Sequence, residues 1–209
     1  MNRGRGGPRV GARRPRGTRP RVPHRSRAKV IRGYPLHVTI RVRPDVPPLR
    51  RTALVRELRR RFARGCERGT FRLVHYSIQR DHAHMIVEAS SKQALASGMK
   101  CVAARFARAV NRVFDRSGPV LDGRFHSVVL RTPTQVRNTL RYVLLNARKH
   151  GSRFRGIDPA SSGRWFAGWR SAPAREDPLG GPMEVAAAGT WLLRTGWRKH
   201  GLIEADGSP

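Results

Sequence analysis

Two histidines separated by a single residue are the first feature of this sequence that could do chemistry. His82 and His84 lie in the stretch HAHMIVEAS, whose apolar and β-branched residues predict a strand. Because successive side chains of a strand point to opposite faces, both imidazoles would project from one face while Ala83 points away. Two imidazoles on one face could bind one metal ion. The pair alone is a weak motif, since core and surface histidines share this spacing.

A tyrosine and an asparagine four residues apart form the second such feature. Tyr142 and Asn146 lie in the stretch TQVRNTLRYVLLNARKH, whose apolar spacing predicts a helix. Residues four apart share one helix face, so a phenolic hydroxyl and an amide oxygen would project together. The hydroxyl is a potential nucleophile and the amide oxygen a potential metal ligand. On the residues alone, the preferred interpretation of Tyr142 is an interfacial aromatic beside Leu140, Leu144 and Leu145.

The remaining pattern predicts the elements that would position these four residues. Strands are predicted at YPLHVTIRV, FRLVHYSIQ, HAHMIVEAS and GRFHSVVLR, and helices from Leu49 to Arg64, from Lys92 to Phe114 and after Thr132-Pro133. Only Arg80 and Asp81 separate the second and third strands, which predicts a tight hairpin. The order β-α-β-β-α-β-α predicts a ferredoxin-like α+β fold, in which an antiparallel sheet carries two helices on one face and an additional C-terminal helix bears Tyr142. The opposite face would need a ligand or partner to cover it.

The charge of the chain points to a polyanionic partner. Lys and Arg number 44 against 13 Asp and Glu, which gives a net charge of +31. Arginine dominates, and its planar guanidinium suits phosphate contacts, although a GC-rich genome would also enrich arginine. The two cysteines are too few for a disulfide framework. The sequence has neither a membrane-length apolar run nor an export signal, so we expect a soluble protein of the bacterial cytoplasm, associated with the nucleoid and not with a membrane.

Three segments differ in composition. Residues 1–33 are rich in Arg, Gly and Pro and have little to bury, so we expect a disordered basic arm. Residues 34–155 contain all the predicted core elements. Residues 156–209 are expected to form a C-terminal extension with short helical segments and four tryptophans, which could stack on unpaired bases or anchor the extension on the core. These are Trp165, Trp169, Trp191 and Trp197.

The two motifs together resemble those of the single-tyrosine HUH transposases, in particular the REP-associated tyrosine and IS200-like transposases. That family carries a His-hydrophobe-His pair in a central strand and a later helical run Tyr-hydrophobe-x-x-Asn-Pro-x-Lys-x-Gly. Here the counterparts are HAH and YVLLNARKHG, and the similarity covers about residues 34–155, which would be the catalytic domain. Two departures are that Ala147 replaces the usual proline, and that Gln79-Arg80-Asp81 stands where relatives often have Met-Pro-Asn.

The resemblance implies a role for each matched residue. His82 and His84 would bind the metal with Asn146 as the third ligand, and Tyr142 would be the nucleophile. The ion implied is Mg²⁺ or Mn²⁺, although nitrogen ligands alone would also accept Zn²⁺. The activity implied is cleavage and rejoining of single-stranded DNA at hairpin-forming or palindromic repeats, through a 5′-phosphotyrosine intermediate, by a monomer or homodimer. Four cations near the predicted helix could grip DNA phosphates, namely Arg131, Arg141, Arg148 and Lys149.

Two other functions fit the same residues. A non-catalytic nucleic-acid-binding protein on this fold would also be strongly basic, and it would bind DNA without metal. A basic RNA-binding protein ranks last, because the strands lack the aromatic pair expected on such a sheet. Three further histidines, His37, His75 and His126, could line the same sheet face, but packed or hydrogen-bonded roles are expected for them.

Overall fold

Nine helices and strands make up the described part of the chain. The computed structural model describes residues 30–65, 67–149, 157–171 and 179–205. The elements are β1 (Leu36–Arg41), α1 (Thr52–Ala63), β2 (Glu67–Arg68), β3 (Phe71–Ile78), β4 (His82–Ala89), α2 (Lys92–Val113), β5 (His126–Val129), α3 (Pro133–Lys149) and α4 (Trp191–Arg194). Two 3₁₀ turns, Gly163–Trp165 and Gly196–His200, lie in the C-terminal region. None of the described helices is long and apolar enough to cross a bilayer.

The strands form one antiparallel sheet in the order β2-β3-β4-β1-β5. Without the two-residue β2, this order and the β-α-β-β-α-β succession are those of a ferredoxin-like sheet, so the predicted fold class is confirmed. The predicted first helix was too long at its start. Leu49 is buried outside α1, where its N–H donates to the carbonyl of Arg80. The apolar side chain of Leu49 therefore indicates that the residue is buried in the core, and it does not indicate that the residue is helical.

One face of the sheet packs against α1 and α2. The alternation predicted for β1 is present, because Leu36, Val38 and Ile40 are buried on this face. They lie in one core with Phe62 of α1 and Phe106 of α2. This core fixes the register of β1 and β4, and therefore decides that their remaining side chains emerge on the opposite face.

The opposite face is partly covered by the chain itself. Val74 and Ile86 pack in a second core with Leu140 of α3 and with Phe166 and Trp197 of the C-terminal region. The prediction that this face needs a ligand or partner is therefore wrong for the part beneath these residues. What stays accessible is the end of the sheet beyond this core, where β1 ends and β4 begins.

The C-terminal region also caps the outer edge of β3. The N–H of Ile78 donates to the carbonyl of Ala160, that of Ser162 to Tyr76, and that of Ala186 to Leu73. Pairing of this kind removes an exposed strand edge. The predicted N-terminal arm, by contrast, falls almost wholly outside the described residues, which begin at residue 30.

Candidate active site

The hairpin between β3 and β4 places the two histidines on the accessible face. Its turn is closed by a hydrogen bond from the N–H of Gln79 to the carbonyl of His82, at 2.8 Å. Ala83 is fully buried in the core on the α1 and α2 side. His82 and His84 therefore project together on the other side, as the period of two in a strand requires.

The two imidazoles meet through their Nε2 atoms, which are 3.0 Å apart. Their rings are nearly perpendicular, with centroids 4.7 Å apart. His84 is almost buried, whereas His82 keeps some exposure at the rim of the site. The pair is thus directed at one point that solvent or a ligand can reach from the His82 side.

Asp81 holds the far nitrogen of His82. Its Oδ1 lies 2.7 Å from Nδ1 of His82, and its Oδ2 lies 3.4 Å from Nη2 of Arg41. The hydrogen bond from His82, together with the charges of His82 and Arg41, lowers the pKa of the Asp81 carboxyl. An ionised carboxylate can only accept, so Nδ1 of His82 carries the proton and donates it. This hydrogen bond leaves Nε2 as the nitrogen that is directed at His84.

His84 is held at its far nitrogen by β1. Thr39 Oγ1 and His37 Nε2 each lie 3.1 Å from Nδ1 of His84. Thr39 is the direct cross-strand partner of His84, so the sheet register creates this contact. Burial, and secondarily the charge of His126, lower the pKa of His37 to about 4, so this neighbour is neutral at pH 7.

The arrangement of the two Nε2 atoms fits a bound cation. If two ring nitrogens each lay about 2.1 Å from one ion and the angle between them at the ion were a right angle, they would be about 3.0 Å apart. The Nε2 atoms of His82 and His84 are 3.0 Å apart. Nδ1 of each ring is already engaged by an outer group, as is usual for metal-bound histidine. Within the described residues, no group of three or more His, Cys, Asp or Glu side chains could hold a metal. Among the described residues, the predicted further ligand is the amide oxygen of Asn146.

Tyr142 brings a hydroxyl to the same point. Its phenolic oxygen is 3.2 Å from Nε2 of His84, and the two ring centroids are 4.9 Å apart. The side chain is 37% exposed, so a ligand can approach it. Helix α3 delivers it from a start at Pro133, where the hydroxyl of Thr132 accepts from the N–H of Gln135. The structure thus brings Tyr142 and the histidine pair together from two distant parts of the chain.

Asn146 lies one helical turn beyond Tyr142 on α3. It is only 1% exposed, and its Nδ2 has no hydrogen-bond partner within the described part of the chain. A buried amide with an unsatisfied group is costly and therefore calls for a function or an absent partner. A metal would bind Oδ1 rather than Nδ2. The assignment of Asn146 as third ligand remains a prediction.

The predicted phosphate-binding cations have different surroundings. Arg131 is exposed directly before α3, and its N–H donates to Oε1 of Gln135. Arg141 is half-buried and engaged in contacts of its own. Arg148 and Lys149 belong to the last turn of α3, but their side chains lie outside the described part of the structure. A role in DNA binding stays a prediction for all four.

The other histidines and the tryptophans mostly have structural partners. His75 is buried with its Nδ1 3.2 Å from Oγ of Ser162, and burial lowers its pKa to about 4. His126 is exposed on β5, beside Thr39 in the same cross-strand row as His84. Three of the four tryptophans donate from Nε1 to acceptors within the C-terminal region, while Trp191 is 54% exposed. The anchoring role therefore fits Trp165, Trp169 and Trp197.

Comparison with known families finds a similarity for the part of the chain that carries the histidine pair. Residues 33–127 match the family model described as "Transposase IS200 like". This part of the chain is therefore similar to the IS200-like transposases. The matched residues contain His82 and His84 but end before α3. The similarity supports a transposase-like, DNA-processing role, while the assignments of Tyr142 and Asn146 rest on the motif and the geometry.

The chain also matches three solved structures at low sequence identity. A REP-associated tyrosine transposase bound to a REP hairpin shares 18% identity, with 61% of this chain and 74% of that chain covered at a TM-score of 0.47. A bacterial tRNA(His) guanylyltransferase-like protein shares 14% identity and a TM-score of 0.41, both in its GTP complex and in its ATP complex. The match to the GTP complex covers 59% of this chain and 66% of that chain. The match to the ATP complex covers 62% of this chain and 65% of that chain. No curated protein matches this chain significantly. The similarity to IS200-like transposases therefore rests on the match of residues 33–127.

Three outer residues were not assigned to the site from the sequence, although His37 was expected to line the same sheet face in a packed or hydrogen-bonded role. Asp81, Thr39 and His37 all contact the far nitrogens of the histidine pair. A signal existed for Asp81, because an acidic residue directly before a ligand histidine in a two-residue turn can fold back onto it. The contacts of Thr39 and His37 depend on the register between β1 and β4, which no local pattern in the sequence specifies.

Proposed function

We propose that this chain is a metal-dependent single-strand DNA endonuclease and strand transferase that acts by transesterification through Tyr142. The observation that carries the proposal is the meeting of three groups at one point. The hydroxyl of Tyr142 is 3.2 Å from Nε2 of His84, which is 3.0 Å from Nε2 of His82. A nucleophile beside two potential metal ligands is the arrangement that phosphoryl transfer requires.

His82 and His84 would hold the ion, with the amide oxygen of Asn146 as the proposed third ligand. A bound Mg²⁺ or Mn²⁺ would polarise the scissile phosphate and favour the ionised form of the attacking phenol. Asp81 keeps Nδ1 of His82 protonated through its 2.7 Å hydrogen bond, so that Nε2 stays available as a ligand. Thr39 has the equivalent place beside His84.

The proposed step exchanges one phosphodiester for another. The phenolic oxygen of Tyr142 attacks the phosphorus in line, a P–O bond to tyrosine forms, and the P–O3′ bond breaks. The proton of the phenol passes through solvent to the leaving 3′ oxygen, which departs as a 3′-hydroxyl. The 5′-phosphotyrosine keeps the ester bond energy, so a second 3′-hydroxyl can reverse the step without ATP. Rejoining then releases Tyr142 unchanged.

The substrate proposed is single-stranded DNA beside a hairpin-forming repeat, in the bacterial nucleoid. Its phosphates would be attracted by the +31 charge of the chain, largely independently of base sequence. Exposed cations beside the site, such as Arg131, would add local contacts. The ferredoxin-like sheet would position the strand, because its accessible end carries the histidines.

A covalent trapping experiment tests the proposal. The full chain is incubated with Mn²⁺ and a library of DNA hairpins with randomised stem, loop and single-stranded flanks, and protein-linked DNA is recovered and sequenced. Wild-type protein is expected to yield adducts that Tyr142→Phe abolishes, because only the hydroxyl is removed. Tyr34→Phe, which also deletes one hydroxyl but lies away from the histidines, is the matched control. Adducts of equal yield from Tyr142→Phe, or none from wild type across the library, would overturn the proposal.

A further inference from the structure

A cavity of about 320 Å³ lies between the end of β1, helix α2 and the loop that precedes β5. Its inner wall is apolar, with Ile40 and Met99 buried at 3% and 1% exposure. Leu121 and the ring of Phe125 add half-buried apolar surface. The volume falls at the lower end of the range for small-molecule sites, roughly 300 to 1,000 Å³. A flat aromatic group would suit such a space.

The outer wall of the same cavity is cationic. Arg41, Lys100 and Arg124 line it and are all exposed. None of the residues that line the cavity is acidic. An apolar interior with three cations at its mouth complements a ligand that joins an aromatic ring to anionic groups. A nucleotide within a DNA strand has this chemistry, because its base is an aromatic plane and its two flanking phosphates are anionic.

The cavity lies on the α2 side of the sheet, and Arg41 at the end of β1 connects it with the candidate active site. Arg41 is the cross-strand partner of His82, and its Nη2 lies 3.4 Å from the Asp81 carboxylate that holds His82. Phe125 packs on the α2 side, whereas the next residue, His126, lies in the row of Thr39 and His84 on the other side. A DNA strand whose phosphate lies at the histidine pair would therefore reach the mouth of the cavity by passing Arg41 at the end of β1.

We infer that this cavity receives the base of one unpaired nucleotide that flanks the cleavage site. The base stacks on Phe125 against the apolar interior, and Arg41, Lys100 and Arg124 bind the adjoining phosphates. The inference rests on the DNA-cleaving function proposed above and adds to it a contact with one base outside the metal site. Insertion of one base also gives the enzyme a means of fixing which phosphate reaches Tyr142.

The first test fills the cavity. Ala103 and Ala96 lie on its α2 wall, the former half-buried and the latter exposed, so Ala103→Leu and Ala96→Leu add bulk without removing a core side chain. Ser97→Leu, exposed on α2 outside the cavity, is the matched control. The probes are a fluorescein-labelled, mixed-sequence DNA 12-mer and an abasic strand of the same length, titrated in EDTA against full-length protein carrying Tyr142→Phe. The filling variants are expected to bind the DNA probe about tenfold more weakly and the abasic strand unchanged.

The second test locates the base. A 12-mer that carries 5-iododeoxyuridine is photocrosslinked to the same protein, and the modified peptide is identified by mass spectrometry. Crosslinking at Phe125, lost in Ala103→Leu but retained in Ser97→Leu, supports the inference. Arg124→Ala is expected to weaken binding of both probes several-fold more than Arg108→Ala, which removes an equivalent exposed charge from α2 outside the cavity.

Two outcomes would overturn the inference. Equal weakening of the DNA and abasic probes by the filling variants would mean that the cavity contributes phosphate contacts only. Unchanged binding of both probes, in variants with wild-type thermal stability, would mean that no base enters it. Because these measurements are made without metal and without the Tyr142 hydroxyl, failure of the cleavage proposal leaves their outcome intact. The reverse also holds, since adduct formation through Tyr142 requires no base in the cavity.

Discussion

The carboxylate of Asp81 lies 2.7 Å from Nδ1 of the adjacent His82 and fixes which nitrogen of that ring carries the proton. We predict that Asp81→Ala lowers the affinity of the chain for Mn²⁺ about 10- to 100-fold, because outer groups of this kind orient ligand histidines and make them more basic. Isothermal titration calorimetry, with Mn²⁺ added to the protein, measures this affinity. Asp45→Ala, which removes an exposed carboxylate paired with Arg43 and Arg116, should leave the affinity unchanged. Equal affinities for all three proteins would remove Asp81 from the site.

Removal of one histidine separates the catalytic function from simple DNA binding. His82→Ala is expected to reduce Mn²⁺-dependent adduct formation about a hundredfold or more, since a metal supplies several kcal/mol to the transition state. DNA affinity measured in EDTA should change little, because phosphate contacts dominate it. His126→Ala, an exposed histidine on the same sheet face, is the control. Metal-stimulated scission that survives in His82→Ala would favour a DNA-binding protein without this catalytic site.

Stability should fall in mild acid because of His75. Burial lowers the pKa of His75 from 6.5 to about 4, so the unfolded chain binds more protons than the folded one between these values. The stabilisation is complete above pH 6.5 and is lost as pH falls towards 4, by up to about 3 kcal/mol. Urea unfolding at pH 7.5, 5.5 and 4.5 measures it. His37, whose pKa is also lowered to about 4, adds a similar dependence.

His75→Asn isolates the first contribution. Asparagine keeps a polar group near Oγ of Ser162 but does not titrate in this range, so the loss of stability in acid should be smaller than in wild type. His200→Asn, at an exposed position in the last 3₁₀ turn, should leave the wild-type pH dependence in place. Parallel pH profiles for His75→Asn and wild type would contradict the assignment.

Binding of single-stranded DNA should depend steeply on salt and locally on Arg131. Each phosphate contact on a single strand contributes about −0.7 to the slope of log K against log salt concentration. Arg131→Ala is expected to reduce that slope by about one contact. Arg60→Ala removes the same charge from α1, on the opposite side of the sheet, and should have a smaller effect. Anisotropy titrations over roughly 50 to 400 mM NaCl compare the slopes of Arg131→Ala and Arg60→Ala. Identical slopes would mean that Arg131 does not contact DNA.

The sequence was sufficient for features that repeat with a short period. The shared face of His82 and His84 follows from the period of two in a strand, and helix α2 begins and ends within a residue of its prediction because its apolar positions recur at helical spacing. The start of α1 was predicted wrongly for the same reason. Leu49 is a buried loop residue, and its position in the apolar pattern is the same as that of a helical core residue. The order of elements then left few sheet topologies to choose from.

Contacts between distant segments could not be predicted in this way. The approach of Tyr142 to His84 depends on where α3 crosses the sheet, and that crossing is set by side chains such as Leu140 and Trp197 that are far apart in sequence. Similarly, Glu184 is buried between Tyr76 on β3 and the neighbouring donors Arg164 and Trp165 of a 3₁₀ turn, so the contact joins three distant parts of the chain. Neither arrangement produces a repeating pattern of residues along the chain, so neither could be predicted from the sequence.

The contact between Tyr142 and His84 joins two residues of a single polypeptide. In the proposed mechanism, each chain would therefore supply the nucleophile and the imidazole pair from its own residues. A mixture of Tyr142→Phe and His84→Ala chains would then remain inactive, because no subunit could lend its intact half to another. One chain would also supply one such tyrosine, so it would hold a single DNA end at a time, and the end to be joined would arrive as a free 3′-hydroxyl.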